Sequence, residues 1–122
     1  MSQHQLHTLA DLPVDQPMPR IERQRIIGER MMISAITLHA GFEVAVHSHE
    51  NEQIVVMLEG SAEFTIGEGD AAETVVVEAG QVLVLPPHLP HGCKVAHGCR
   101  LLDLFSPVSE GTGVDAAKPG GG

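Results

Sequence analysis

His47 and His49 stand one residue apart at the end of the β-rich stretch from Gly41 to His49. Side chains alternate across a strand, so a strand through these positions points both imidazoles to one face. Two neutral imidazoles from one strand supply half of a metal site without long-range help. His88 and His91 follow the Pro86-Pro87 pair about 40 residues later. The two clusters together point to a mononuclear metal centre inside a small β-barrel.

Asp103 is the other residue with chemistry in it. It lies between Leu102 and Leu104 in a strongly apolar segment and shares its parity with Leu101 and Phe105. One reading is a rim aspartate bonded to backbone or to an arginine. The other is a general acid–base group in a pocket, its pKa raised by apolar walls. His88 offers a second acid–base group or a rim residue. Phe105 and Met57 are expected at the substrate pocket. Met31 and Met32 are read as packing, His39 and His97 as turn or surface residues, and His4 and His7 as parts of an arm without a role.

The elements that must position these groups are strands. The chain has 122 residues, the length of one domain. It contains 43% hydrophobic residues but no Trp, no Tyr and three Phe, so its core is built from Val, Leu, Ile and Met. Thirteen Gly and eight Pro favour turns between short strands. Strands are expected within Ile26–Leu38, at Phe42–His49, Ile54–Leu58, Ala62–Ile66, Thr74–Val77 and Val82–Leu85. Cys93–Val95 and Arg100–Phe105 read as a hairpin around His97-Gly98. Regular strands separated by glycine turns make an all-β sandwich or jelly-roll barrel. The expected division is an N-terminal arm over 1–20, a barrel over 21–108 and a flexible tail over 109–122.

Charge excludes some partners. The formal net charge is −9, which argues against nucleic acid, because phosphate contacts need Lys and Arg. Arg20, Arg23, Arg25 and Arg30 hold four of the seven basic residues and read as a solvated or subunit-pairing strand more readily than as an anion site. No apolar run approaches the ~20 residues of a membrane helix, and the first residues lack the pattern of a signal peptide. Cytoplasmic location is therefore expected, with Cys93 and Cys99 as free thiols. Apolar residues at both parities in Ile26-Ile27 and Met31–Ile36 point to a homodimer.

Two motifs in this chain resemble those of the cupins. Gly41, five residues, His47, one residue, His49, three residues, Gln53, six residues and Gly60 resemble the first. Gly80, five residues, Pro86 and then His91 resemble the second. The resemblance implies a cupin-type jelly-roll barrel, often dimeric, with one divalent transition metal (Ni, Zn, Fe, Mn or Co) held by His47, His49, Gln53 and His91. The commoner cupin has Glu where this chain has Gln53. A slip to Glu52 would break the spacing to Gly60 and turn the side chain to the opposite face. The second motif also departs from the family at His88 and Val95. Three imidazoles and a carboxamide leave a divalent ion its full +2 formal charge, which favours acidified water and attracted substrate oxygens.

A closer resemblance lies in His47-Ser48-His49 followed by Glu52-Gln53-Ile54, in Leu58-Glu59-Gly60, and in Asp103-Leu104-Phe105-Ser106-Pro107. These are similar to the pectin-degradation cupins, which linearise unsaturated uronates and use a Gln ligand. In that group the Asp and Phe line the pocket, and an Arg shortly after them can hold a substrate carboxylate. This chain has Val108-Ser109 there, and Arg30 or Arg100 could replace it only by turning inward. Polyketide cyclases are similar Gln-bearing cupins with apolar substrates. The resemblance implies an isomerase, cyclase or lyase acting on a small oxygenated molecule, a sugar acid or polyketide-like compound. The alternatives are a non-enzymatic cupin that binds a small ligand or metal, and an Fe-dependent dioxygenase. The absence of Tyr counts against a thiol dioxygenase.

Overall fold

The computed structural model describes residues 3–109. Eight strands follow one another: β1 (Ile21–Ile27), β2 (Met32–Leu38), β3 (Glu43–His47), β4 (Glu52–Ile66), β5 (Glu73–Glu78), β6 (Val82–Leu85), β7 (His91–Lys94) and β8 (Cys99–Ser106). Single turns of 3₁₀ helix at Leu9–Asp11 and Gly69–Ala71 are the other regular elements among the described residues. The expected all-β class is what the chain forms, a cupin-type jelly roll.

β4 runs through both halves of the molecule. Residues 52–60 pair with β8 and residues 53–56 with β6, while residues 61–66 pair with β5 and residues 63–66 with β7. One sheet therefore reads β1–β2–β8–β4–β6 and the other β5–β4–β7–β3. The sequence suggested two strands here, broken at Glu59-Gly60. They are one strand of 15 residues, bent by a register shift between Met57 and Glu59. Gly60 makes the bend: its φ is +77°, and a Cβ there would stand 2.5 Å from the Gly98 carbonyl oxygen.

The hairpin expected around His97-Gly98 is a different connection. β7 pairs with β3 and β4, whereas β8 pairs with β2 and β4, so the turn carries the chain from one sheet to the other. Cys93 and Cys99 are free thiols in these two sheets. The residues before β1 are tied down. Asp15 forms a β-bridge with Arg23, and the Gln24 amide donates to the Leu9 and Leu12 carbonyls. The expected flexible tail, 109–122, lies outside the described residues apart from Ser109.

Inward positions alternate along each strand, as the pleat requires. Ile21, Ile36, Leu38, Val55, Met57, Leu85 and Leu101 are buried with Phe42, Phe64, Val77 and Val95 between the sheets. The inward row of β8 is Leu101, Asp103 and Phe105, all nearly inaccessible. One carboxylate has thus been carried into an apolar core by strand parity alone.

Candidate metal centre

β3 ends at His47, so the strand parity expected to align His47 with His49 operates only on the first of them. A bulge does the remaining work. Val44 opposes Cys93 and His47 opposes His91, so β3 spends one more residue than β7 over this interval. The bulge presses the β3 backbone onto Gly92, where a Cβ would stand 3.0 Å from the Val44 carbonyl oxygen and 3.1 Å from the Val46 nitrogen. A residue without a side chain is needed at 92 for His47 and His91 to meet. His49 lies beyond the strand, in the connection to β4, and still turns inward.

Each ring is held by its Nδ1. His47 Nδ1 is 2.9 Å from the Ala45 carbonyl, His49 Nδ1 is 3.0 Å from that of Asn51, and His91 Nδ1 is 2.8 Å from that of Leu89. A carbonyl can only accept, so each Nδ1 carries the proton and each Nε2 presents a lone pair. The three rings close on one another with centroids 4.5 to 5.7 Å apart. Their ligating nitrogens lie within 4.8 Å of one another. His47 Nε2 and His91 Nε2 are buried without a hydrogen-bond partner.

Gln53 completes the set. It projects inward from β4, opposite Phe105 and Leu85. Its Nε2 donates to Asp103 Oδ1 at 3.0 Å, and its Oε1 lies 3.2 Å from His49 Nε2. That second contact joins two acceptors and is not a hydrogen bond once the His49 proton is on Nδ1. Three ring nitrogens thus lie within 4.8 Å of one another, and a fourth lone-pair donor, Gln53 Oε1, stands beside one of them. Uncompensated buried acceptors are costly, and a divalent cation satisfies all four at once. The donor set fits the ion that the two sequence motifs imply.

Burial also fixes the charge state. Desolvation pushes His91 down to about 4 and lowers His49 as well, against the pull of the Asn51 carbonyl. Both rings are neutral and ligand-ready at neutral pH. Burial raises Asp103 to about 7 in the metal-free protein, with the Gln53 hydrogen bond opposing it. A bound divalent ion acts in the opposite direction on that carboxyl. Burial raises the Cys93 thiol, and lifts Cys99 to about 11.

The cavity beside the imidazoles is mostly apolar. Ile36, Leu38, Phe42, Val44, Phe64 and Leu101 form its walls, with His47, Gln53, His91, Cys93 and Asp103 as the polar or titratable members. No Arg or Lys is among the lining residues. Arg30 is exposed, and Arg100 is exposed and paired with Glu59, so neither has turned inward. Arg23 is committed to Asp15 through two hydrogen bonds, Nε to Oδ1 at 2.9 Å and an NH2 nitrogen to Oδ2 at 2.8 Å.

Three residues expected at the site stand elsewhere. His88 is exposed and has φ +67°, so the turn after Pro86-Pro87 directs its ring away from the cavity wall. Its backbone N–H donates to the His49 carbonyl at 2.7 Å, which gives it a part in holding the histidine loop. Met57 is buried in the core, beside the bend of β4, and is not a lining residue. Phe105 also lies outside the lining; it stands edge-on to His49, centroids 5.9 Å apart, as a backing for that ring.

Three residues of the site were not singled out from sequence. Asn51 donates to the Pro107 carbonyl at 2.6 Å while its own carbonyl receives the His49 proton, tying the histidine loop to the end of β8. Ser34 stands directly opposite Asp103 across β2 and β8, its hydroxyl buried and unpartnered. The polar break it makes in the apolar run Met31–Ile36 was the available signal. Gly92 carried none.

A jelly roll with a histidine triad that could hold a metal ion is a small barrel of the cupin kind. The chain belongs to the cupin family: the profile described as a cupin domain matches residues 35–105, more than half of the sequence. Among solved structures it is similar to an RmlC-like cupin from Shewanella frigidimarina, with a TM-score of 0.79 and 25% identity over 88% of this chain and 95% of that one. It is also similar to KdgF from Halomonas sp., with a TM-score of 0.74 and 25% identity over 83% and 93% of the two chains. The polyketide cyclase RemF from Streptomyces resistomycificus shares the fold, at a TM-score of 0.73 and 19% identity over 85% and 80%. No curated protein sequence matches the chain significantly.

Proposed function

We propose that this cupin is a metal-dependent enzyme that acts on a small oxygenated molecule by isomerase, cyclase or lyase chemistry. The observation that carries the reading is the convergence of one ring nitrogen from each of three imidazoles within 4.8 Å, with His47 Nε2 and His91 Nε2 buried and without a partner. His47, His49, His91 and Gln53 would hold one divalent ion. When bound, such an ion supplies Lewis-acid polarisation of a substrate oxygen.

The chain's own residues supply the rest. The apolar wall excludes water from the reacting atoms. Asp103 lines the same cavity, and the single hydrogen bond of its carboxyl among the described residues is the one from Gln53 to Oδ1. Oδ2 is left to take a proton from a substrate carbon or oxygen and return it at another position. Ser34, opposite Asp103 on β2, is placed to steady that carboxyl.

The cavity wall favours a neutral substrate over a sugar acid. The motif resemblance to the pectin-degradation cupins supports uronate chemistry, and KdgF is a cupin of that group. Among the described residues, the wall nevertheless has no guanidinium or ammonium to hold a carboxylate. A polyketide-like compound with adjacent carbonyls fits an apolar wall and a positively charged ion. The test is to offer ion-loaded protein an unsaturated uronate and a short poly-β-carbonyl compound, following loss of absorbance of each. The expected result is turnover of the neutral compound that disappears in His49→Ala. Turnover of the uronate alone would reverse the substrate assignment. Turnover of neither, with the ion retained, would move the protein to the non-enzymatic ligand-binding cupins.

We also propose that a second copy covers the outer face of the β1–β2–β8–β4–β6 sheet. Register places Ile26, Ile33, Leu104, Ile54 and Val84 in one row across five strands, all on the face opposite the core. Val84 is 52% exposed in the single chain. An apolar row of this width is the kind of surface that isologous dimers bury.

A further inference from the structure

We infer that Asp103 is a positioning residue for Gln53: its Oδ1, accepting from the Gln53 amide, decides which end of the Gln53 carboxamide faces the three imidazoles. The inference rests on the metal-centre reading above and adds a task to Asp103 besides proton transfer.

A carboxamide has two ends of nearly equal size, one accepting and one donating, and only the oxygen can serve a cation. Gln53 is buried, 5% exposed, so water cannot settle its orientation. Two partners remain. Toward the imidazoles stands His49 Nε2, a lone pair at 3.2 Å. Toward β8 stands Asp103 Oδ1 at 3.0 Å. Left to His49 alone, the amide would turn its NH2 toward that lone pair, form an ordinary hydrogen bond and close the site to a cation. Asp103 opposes the turn, because a flipped amide would give up the Nε2–Oδ1 hydrogen bond and set Oε1 against Oδ1, an accepting oxygen whether the carboxyl is ionised or carries its proton on Oδ2.

Backbone register makes the contact available. Gln53 opposes Phe105 across β4 and β8, and Asp103 is two residues from Phe105 on the same inward face. This is a diagonal cross-strand pair, within reach of a glutamine. The arrangement also accounts for Gln rather than Glu at 53: a carboxyl there would meet a second carboxyl in a buried site, and the pair would have to hold a proton between them.

The test is a double-mutant cycle read by Co²⁺ affinity and by the visible spectrum of the bound ion. Asp103→Asn can either accept or donate, so it no longer enforces the orientation. With Gln53 present it should weaken Co²⁺ binding by about tenfold, the lower end for loss of a group that orients a metal ligand. In the Gln53→Glu background both ends of residue 53 accept, and no orientation is needed. There Asp103→Asn should cost less than about threefold or strengthen binding, because the new amide can donate to the glutamate. Equal losses in the two backgrounds would show that Asp103 acts through its charge and would overturn the inference. Undiminished Co²⁺ affinity in folded Asp103→Asn with Gln53 present would overturn it too.

A metal-free arm separates failure of this inference from failure of the metal reading. Uptake of none of Ni²⁺, Zn²⁺, Fe²⁺, Mn²⁺ and Co²⁺ by the wild-type protein would refute the metal centre, and the pair would then be judged by melting. Gln53→Glu alone should lower the melting temperature by about 4 °C or more, and adding Asp103→Asn should restore most of it. Additive shifts would overturn the donor–acceptor pairing.

Discussion

His47 and His91 face each other across the pairing of β3 and β7, ring centroids 4.5 Å apart, and neither Nε2 has a partner. Two buried lone pairs this close repel unless a proton or a metal ion lies between them. Burial argues against the proton, since it holds His91 at about 4. The β3 bulge and the bare backbone of Gly92 are the local features that bring the rings together. Gly92→Ala should therefore damage the site more than the fold. A Cβ there must displace β3 backbone by a few tenths of an ångström, and the expected result is weaker ion binding, by titration, with strand content retained by circular dichroism.

Asp103→Asn, assayed at saturating ion, should keep the ion and the fold and lose turnover by the ~10²–10⁴ typical of a missing acid–base group. The measurement is kcat beside metal content on the same preparation. Full activity would return Asp103 to a positioning role alone, and among the described residues no other carboxylate lines the cavity to replace it.

Leu104→Glu places a charge at the centre of the apolar row on the outer sheet face. If a second copy covers that face, light scattering should give a dimer mass for the wild-type chain and a monomer mass for the variant at micromolar concentration. A wild-type monomer would contradict the assignment.

Asp15 provides the pH dependence of the N-terminal segment. The hydrogen bond from Arg23 holds its carboxyl below the usual value of 3.8. A carboxyl depressed by folding adds stability above its unfolded pKa and loses it as the pH falls through the folded one. Asp15→Asn should thus lower the melting temperature at pH 7, and the difference should narrow as the pH drops below 3.8. Asp15 is 47% exposed, so the effect is a screened one, at most about 1 kcal/mol. A difference that persists undiminished at pH 3 would refute the assignment.

The two motifs made the barrel and its ligand candidates legible because each ligand type recurs at a short, fixed spacing. His47, His49, Gln53 and His91 do meet, although the strand parity invoked for the first pair applies only as far as His47. A bulge leaves no pattern in one sequence, and neither does the absence of a Cβ at Gly92. Asp103 was visible as a charge in an apolar strand; its hydrogen bond to Gln53 was not, because the partners are 50 residues apart. His88 was misleading for a backbone reason: a left-handed φ after two prolines turns its ring outward. Met57 has the inward parity expected of it but sits deeper in the core than the cavity wall. The continuity of β4 was hidden by Gly60, which reads as a stop and acts as a bend.

The most direct test is metal stoichiometry by elemental analysis after incubation with Ni²⁺, Zn²⁺, Fe²⁺, Mn²⁺ and Co²⁺ in turn and removal of free ion. The convergence of His47, His49 and His91 predicts about one ion per chain for at least one of these metals, falling to near zero in His49→Ala while the fold persists. Stoichiometry near zero for every metal, or an ion that His49→Ala retains in full, would contradict the central claim.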